Sequence, residues 1–465
     1  MNYLALGLTW VLLSGSLGGD FSTGSAHSAS FPLSLPAGRL RCGLARVKLT
    51  PPKPTPLAGY AARRGRPSQG VHDELYARAL LLDNGHQKIA LVATDLLLIP
   101  QELREAVIRK IRRGEKQLGI QVMDHLLLAA THTHSGVGGY MDNWVFEKAA
   151  LGSYDREIFD LLARQIATAV LQAGRRWTLA RLGMGQGRAP GLNVNRRRKG
   201  GPTDPELRVL RVEDEAGKAL AYLVNFSAHP TLLGPQNMQF SAEYPGQLAR
   251  ALGEPPPEEA PGSTGPLVLF FNGSLGDQAP YRPPGYEGFE RVERLGALLA
   301  ERVQALSGDL PARSTIRLGA LGQTLPLPGA DLRGALGLFA FPLNGLVDLL
   351  FVPDSAYLQV IQIDEALLVA LPCEPGVEVG RDLRARLQAQ GFPSPWIVAL
   401  ANSYIGYLIE AEDYRRGGYE ARTSFYGPKM ADWIKEKMVA LAWGLNAQSR
   451  SSTARGRLEA FRSVP

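Results

Sequence analysis

The sequence predicts an α/β fold, with mixed β-sheets flanked by helices and an active site at the carboxyl ends of the strands. Three observations predict it. Short, continuously apolar runs recur along the chain, helical patterns lie between several of them, and each run ends in a cluster of polar residues. Unbroken apolar runs suit strands covered on both faces. Their alternation with helices suits a layered α/β domain. Polar residues beyond the carboxyl ends of strands mark the edge at which open α/β sheets bind ligands.

The strand-like runs are residues 89–93, 125–130, 222–226, 267–271, 366–371 and 396–400. Helical patterns cover 101–118, 155–173, 288–306, 378–388 and 430–447. Segments near 177–188 and 207–213 read as hairpin strands, which makes the sheets mixed. Residues 20–38 are rich in Ser, Gly and Pro and read as a linker, and 253–265 reads as a surface loop. No internal repeat is visible. The expected organisation is a leader and linker over 1–30 and a single catalytic domain over 31–465.

The chain has 465 residues and a net charge of +7, from 51 basic and 44 acidic side chains. That balance is mild for this length and gives no footprint for nucleic acid. Two cysteines, Cys42 and Cys373, are no disulfide framework, although they could pair. The apolar stretch over 3–13, followed by small residues, has signal-peptide length but lacks a basic n-region. Export is expected, to the periplasm or the exterior.

The polar clusters follow the strand runs in order. They are Thr94-Asp95, Thr131-His132-Thr133-His134-Ser135, Ser227-Ala228-His229, Asn272-Gly273-Ser274, Cys373-Glu374 and Asn402-Ser403-Tyr404. Side chains two apart on a strand share a face. His132 and His134 can therefore address one pocket, either as metal ligands or as two hydrogen-bonded loop histidines. There are 7 histidines, and only His229 follows His134. Barrel amidohydrolases that open with HxH need two more downstream, so that class is excluded. A metal here would need oxygen ligands beside its imidazoles. His27, His86 and His125 read as structural, and His72 as structural or bordering the pocket. Taken alone, Glu374 reads as a carboxylate at a helix N-terminus, Tyr407 as packing and Arg196 as part of a solvated basic loop.

Together these segments resemble the neutral/alkaline non-lysosomal ceramidase family, zinc-dependent enzymes that cleave the amide of N-acylsphingosine. The matching motifs fall in family order over roughly residues 40–430: ARVKLTPP, PLAGY, GVHDELYARAL, THTHSGVGGY, LNVNRR, DPELRVLRV, NFSAHPT, LPCEPGVEVG and ANSYIGYLIEAEDYRRGGYE. The resemblance implies one Zn2+ per chain, bound by His132, His229, Glu374 and Tyr407. It implies that His134 handles a proton beside the metal, and that Arg196 and Tyr419 contact the substrate carbonyl. The implied reaction is hydrolysis of ceramide or a related N-acyl lipid to a fatty acid and an amine.

Three departures qualify the specificity. Ala279 stands where the family has a serine, and Ser274 does not take its place in the motif. The chain is a short form without the family's C-terminal immunoglobulin-like domain, and Cys373 replaces a usual glycine. The alternatives are a zinc amidase or esterase for another N-acyl substrate, or a non-catalytic zinc-binding relative. The stretch GALGLFAFPLNGLVDLLFV, 334–352, is broken by Pro342, Asn344 and Gly345, so it does not read as a spanning helix. It reads as a flap for peripheral membrane contact or acyl binding, or as a buried hairpin.

Overall fold

The computed structural model describes residues 35–255, 265–331 and 352–462. The expected leader and almost all of the 334–352 stretch lie outside the described residues. Among the described residues no helix is long and apolar enough to cross a membrane.

Fourteen strands form three five-stranded sheets together with one short strand, Ala37–Arg39. The first sheet contains β1 (Arg41–Lys48), β2 (Tyr76–Asp83), β3 (Lys88–Thr94), β4 (His125–Ala130) and β5 (Thr178–Leu179). The second contains β6 (Arg181–Arg188), β7 (Glu206–Glu213), β8 (Ala219–Phe226), β9 (Leu267–Asn272) and β10 (Ala312–Arg313). The third contains β11 (Thr315–Pro326), β12 (Ser355–Ile363), β13 (Ala366–Ala370) and β14 (Ser394–Val398), with Ala37–Arg39 at its edge.

The three sheets share one topology. In each, three antiparallel strands are followed by a helix and a fourth strand parallel to the third. The crossover helices are α1 (Gln101–Leu118), α3 (Glu243–Ala251) and α5 (Val377–Ala389). The helices that follow the fourth strands are α2 (Arg156–Ala173), α4 (Gly288–Ser307) and α6 (Met430–Arg462). The chain thus builds three like units, although its residues show no repeat. Each sheet is closed by a short strand that immediately precedes the first strand of another unit: β5 leads into β6, β10 into β11, and Ala37–Arg39 into β1. The three connecting residues meet, with Leu40 N donating to Ser314 O at 2.7 Å and Ala180 N to Leu40 O at 3.1 Å.

Strand alternation explains the core. One face of each sheet turns inward to a common cluster that includes Leu80, Leu91, Leu223, Leu269, Leu368 and Trp396. The other faces pack under their own helices, with Leu81 beneath α1 and α2, Phe270 beneath α3 and α4, and Val369 beneath α5 and α6. Both faces are therefore buried, as the unbroken apolar runs require. Cys42 lies in the inner cluster and Cys373 in an outer one, and both are free thiols.

Polar ties close the ring between units. Arg78 on β2 pairs with Glu254 beyond α3 at 2.8 Å, and Arg384 on α5 pairs with Asp204 beside β7 at 3.0 Å. Arg104 on α1 lies over the ring of Tyr357 on β12 at 3.7 Å and donates to Asn402 at 3.2 Å.

Candidate metal centre

The carboxyl ends of the third and fourth strands of all three units converge. Beyond β14 the chain runs alongside β4, with Ala130 N donating to Leu400 O and Asn402 N to Leu128 O, while Ala399 N donates to the carbonyl of Asn272 on β9. The Asn272 side chain joins two of the loops, donating to Thr131 O at 3.0 Å and accepting from Ala228 N at 3.2 Å. Each of these contacts lies one residue from a histidine of the site.

His132 comes from the loop after β4, His229 from the loop after β8, and Glu374 from the loop after β13, so each unit supplies one residue. His229 Nε2 is 2.9 Å from Glu374 Oε2 and 3.2 Å from the Tyr407 hydroxyl. His132 Nε2 is 3.3 Å from Glu374 Oε2 and 3.3 Å from His134 Nε2. His132, His134 and His229 together form a cluster able to hold a metal ion. The structure therefore brings together His132, His134, His229, Glu374 and Tyr407.

The pairing of His132 with His134 arises differently from the strand alternation expected. β4 ends at Ala130, and His132 lies beyond it in left-handed backbone, φ 71°. That conformation costs a non-glycine residue about 1–3 kcal/mol and is concentrated at functional sites. The surroundings hold it there, with His132 N donating to Leu96 O and Thr131 N to Thr94 O. His134 is fixed by Arg63, whose Nη1 donates to the His134 carbonyl at 2.6 Å, and by the Tyr60 ring, 4.9 Å away. Gly59 sits directly against His134. Its φ is 108°, and a Cβ there would lie 2.6 Å from His134 Nδ1.

The donor set itself tests whether a cation fits. His132 Nδ1 lies 2.6 Å from Leu97 O, and His229 Nδ1 lies 2.7 Å from Leu275 O. A carbonyl oxygen only accepts, so both Nδ1 atoms carry the proton and both Nε2 atoms present lone pairs. Those lone pairs face a carboxylate that also only accepts when ionised. Acceptors converging in a buried site need a positive charge among them, and imidazole with carboxylate is a zinc-type set. Burial, with Arg196 nearby, pushes the His229 imidazole down to about 4, which keeps it neutral as a ligand must be. Burial, then the other two imidazoles, holds His134 well below its ordinary value.

Tyr407 is set beside Glu374 by a short parallel bridge, and the Tyr404 hydroxyl donates to Glu374 Oε1 at 2.7 Å. Tyr404 and Asn272 stand in the polar clusters read at the strand ends, but the sequence assigns neither a role. Tyr404 stands three residues before Tyr407 in the same motif, which was the available signal. Arg196 follows the short strand Asn193–Asn195. The Asn195 side chain accepts from Arg197 N and Arg198 N and donates to Asp277, which fixes the course of the arginine run. Arg196 donates to Tyr407 at 2.9 Å, to Gly276 O at 2.8 Å and to Glu420 at 3.1 Å. Tyr419 lies 5.6 Å from the Tyr407 ring, is 61% exposed, and forms the mouth of the site. His72 stacks on Phe289 and pairs with Asp73, His86 lies in the turn between β2 and β3, and His125 opens β4. Ala279 pairs with Val194 in the short ladder next to His229.

Comparison with known proteins bears on the fold and the family. The chain is 25% identical to neutral ceramidase A of Dictyostelium discoideum over 83% of its length and 70% of that protein. It is 24% identical to the neutral ceramidase of Pseudomonas aeruginosa over 84% of its length and 69% of that protein. The crystal structure of the Pseudomonas aeruginosa enzyme superposes with a TM-score of 0.73 at 20% identity, covering 88% of this chain and 75% of that one. Residues 41–283, which cover the first unit and the second as far as β9 and include His132, Arg196 and His229, match the model described as neutral/alkaline non-lysosomal ceramidase, N-terminal. With the match over half the chain and the same fold across all three units, the chain belongs to the neutral/alkaline non-lysosomal ceramidase family.

Proposed function

We propose that the protein is a zinc-dependent amidohydrolase that cleaves the amide of ceramide or a related N-acyl lipid. The observation that carries this reading is the convergence of two Nε2 lone pairs, the Glu374 carboxylate and the Tyr407 hydroxyl within 3.3 Å of one another along the chain of contacts. His132, His229, Glu374 and Tyr407 would hold the cation, and His134 Nε2 lies within reach of it. A divalent ion at that place polarises a carbonyl and lowers the pKa of water toward about 7.

The protein's own groups supply the rest. Tyr404 holds the Glu374 carboxylate in place through its hydroxyl. Arg196 carries positive charge to the Tyr407 side of the pocket, and Tyr419 offers a donor at the mouth, where charge develops on the carbonyl oxygen. His134 is partly buried, its imidazole is held well below its ordinary value, and its buried Nδ1 has no hydrogen-bond partner among the described residues. It is placed to take a proton from water and pass it to the departing amine as the C–N bond breaks. Ala279 offers no nucleophile, so the acyl group is not carried on that residue. Water oxygen then ends in the fatty acid.

The test pairs zinc analysis with hydrolysis of a fluorescent ceramide. One zinc per chain and turnover that is abolished by chelation and restored by zinc are expected. His132→Ala and His229→Ala should each lose most of the metal, because a ligand from one unit is removed. Full zinc retention in both variants, or zinc without turnover on any N-acyl amide, would sink the proposal. Turnover that appears only in Ala279→Ser would favour a relative that has lost catalysis.

A further inference from the structure

The mouth of the site carries more positive charge than the centre can use. A cleft of about 680 Å3 is lined by Arg196, Arg197, Arg198, Arg416, Tyr419 and Glu420, with Gly417 and Gly418. Three of its four guanidiniums are already matched. Arg196 and Arg197 share the two oxygens of Glu420 at 3.1 and 3.0 Å, so each oxygen of that carboxylate already faces a guanidinium. Arg197 also donates to Asp413 O and Gly417 O, and Arg416 pairs with Glu412 and Asp413. Arg198 differs. Its backbone is fixed by Asn195, its Nε is buried without a hydrogen-bond partner, and its guanidinium has no ion pair among the described residues.

We infer that Arg198 is a specificity residue, and that the cleft takes an oxyanion, a carboxylate or phosphate, on the amine portion of the substrate. This rests on the proposed amide hydrolysis and, within its related N-acyl lipids, favours those whose amine portion bears an acid over ceramide itself, which bears none. The amine side is assigned by solvation. An alkyl chain laid over four guanidiniums would strip their water without replacing it, whereas an oxyanion supplies the charge-assisted hydrogen bonds that Arg198 lacks. The fork of a guanidinium also matches a carboxylate or phosphate in geometry.

The test uses N-lauroylglycine and its methyl ester, which share the acyl amide and differ in the exposed acid. In titration calorimetry the acid should bind the wild type about tenfold more tightly than the ester, the effect of one good charge-assisted hydrogen bond. Arg198→Gln should bind the two equally, with affinity for the ester unchanged. Lys199→Gln, which alters an exposed cation outside the cleft, should keep the preference. Equal binding by the wild type would overturn the inference. So would a preference that survives in Arg198→Gln, which would place the acid at the metal, or one that falls equally in Lys199→Gln, which would make it a diffuse field. Release of lauric acid from the methyl ester, which requires cleavage of the amide, reports separately on the amidase reading, so the two can fail independently.

Discussion

Glu243 shows how far the demands of the centre reach into its surroundings. Its backbone is left-handed, φ 57°, and its buried carboxylate accepts from Leu232 N and Leu233 N, with no ion pair to it among the described residues. Burial pushes this carboxyl up to about 7. Below about pH 4.5 the group is protonated in both folded and unfolded chains. Between about 4.5 and 7 the folded chain keeps a proton that the unfolded chain has released, so stability falls as pH rises through that window and then levels. The share of this one group is on the order of 3 kcal/mol. Glu243→Gln cannot ionise, so its melting temperature should fall less between pH 4.5 and pH 8 than that of the wild type. Equal slopes in the two proteins would rule this out. At this scale the sequence was informative wherever chemistry is rare. With seven histidines, His132, His134 and His229 stood out. Asn272 and Tyr404 did not, because their importance comes from the loops they join, and neither residue type is unusual at the end of a strand.

Elements were legible where burial alone decides them. The runs predicted for β3, β4, β9 and β13, and the helices α1, α2 and α4, form within a residue or two of the expected bounds. α3 was missed because EYPGQLARA contains Pro245 and Gly246. Pro245 falls in the first turn, where its absent N–H has no helical partner to lose. β11 and β12 were also missed, since β11 mixes buried and exposed positions along its length and shows no clean run. What joins the elements is polar. Arg384 on α5 grips Asp204 with two bonds, at 3.0 and 3.2 Å, and both side chains are almost wholly buried. Arg384→Ala would leave the Asp204 carboxylate buried and bound only by the Ser227 hydroxyl. The expected loss is about 3–5 kcal/mol, read by denaturant titration. A loss below about 1 kcal/mol would mean that water replaces the pair and that the tie between units two and three lies elsewhere.

At the scale of the whole molecule, the α/β class and the position of the site were readable, but the threefold plan was not. The first strands of the units begin at Arg41, Arg181 and Thr315. These intervals are far longer than those of solenoid repeats, and the units share topology and apolar pattern without sharing residues. Because His132, His229 and Glu374 come from different units, a bound ion would clamp all three together. Metal removal should therefore lower the cooperative melting temperature of the whole domain, without releasing one unit ahead of the others.

The short strand that closes the third sheet comes from before the first unit, and this makes the order of synthesis arbitrary. A ring in which every member passes its last strand to its neighbour has no obligatory beginning. Leu35 and Leu445 rest against the same point of β11, at Gly319, so the two ends of the described core lie side by side. Joining residue 447 to residue 35 through a short Gly/Ser linker, and opening the chain at the exposed turn between Gly308 and Asp309, would start translation at the third unit. Such a permuted chain should fold, melt close to the parent and assemble the same three-loop centre, although Glu374 would then be made before either histidine.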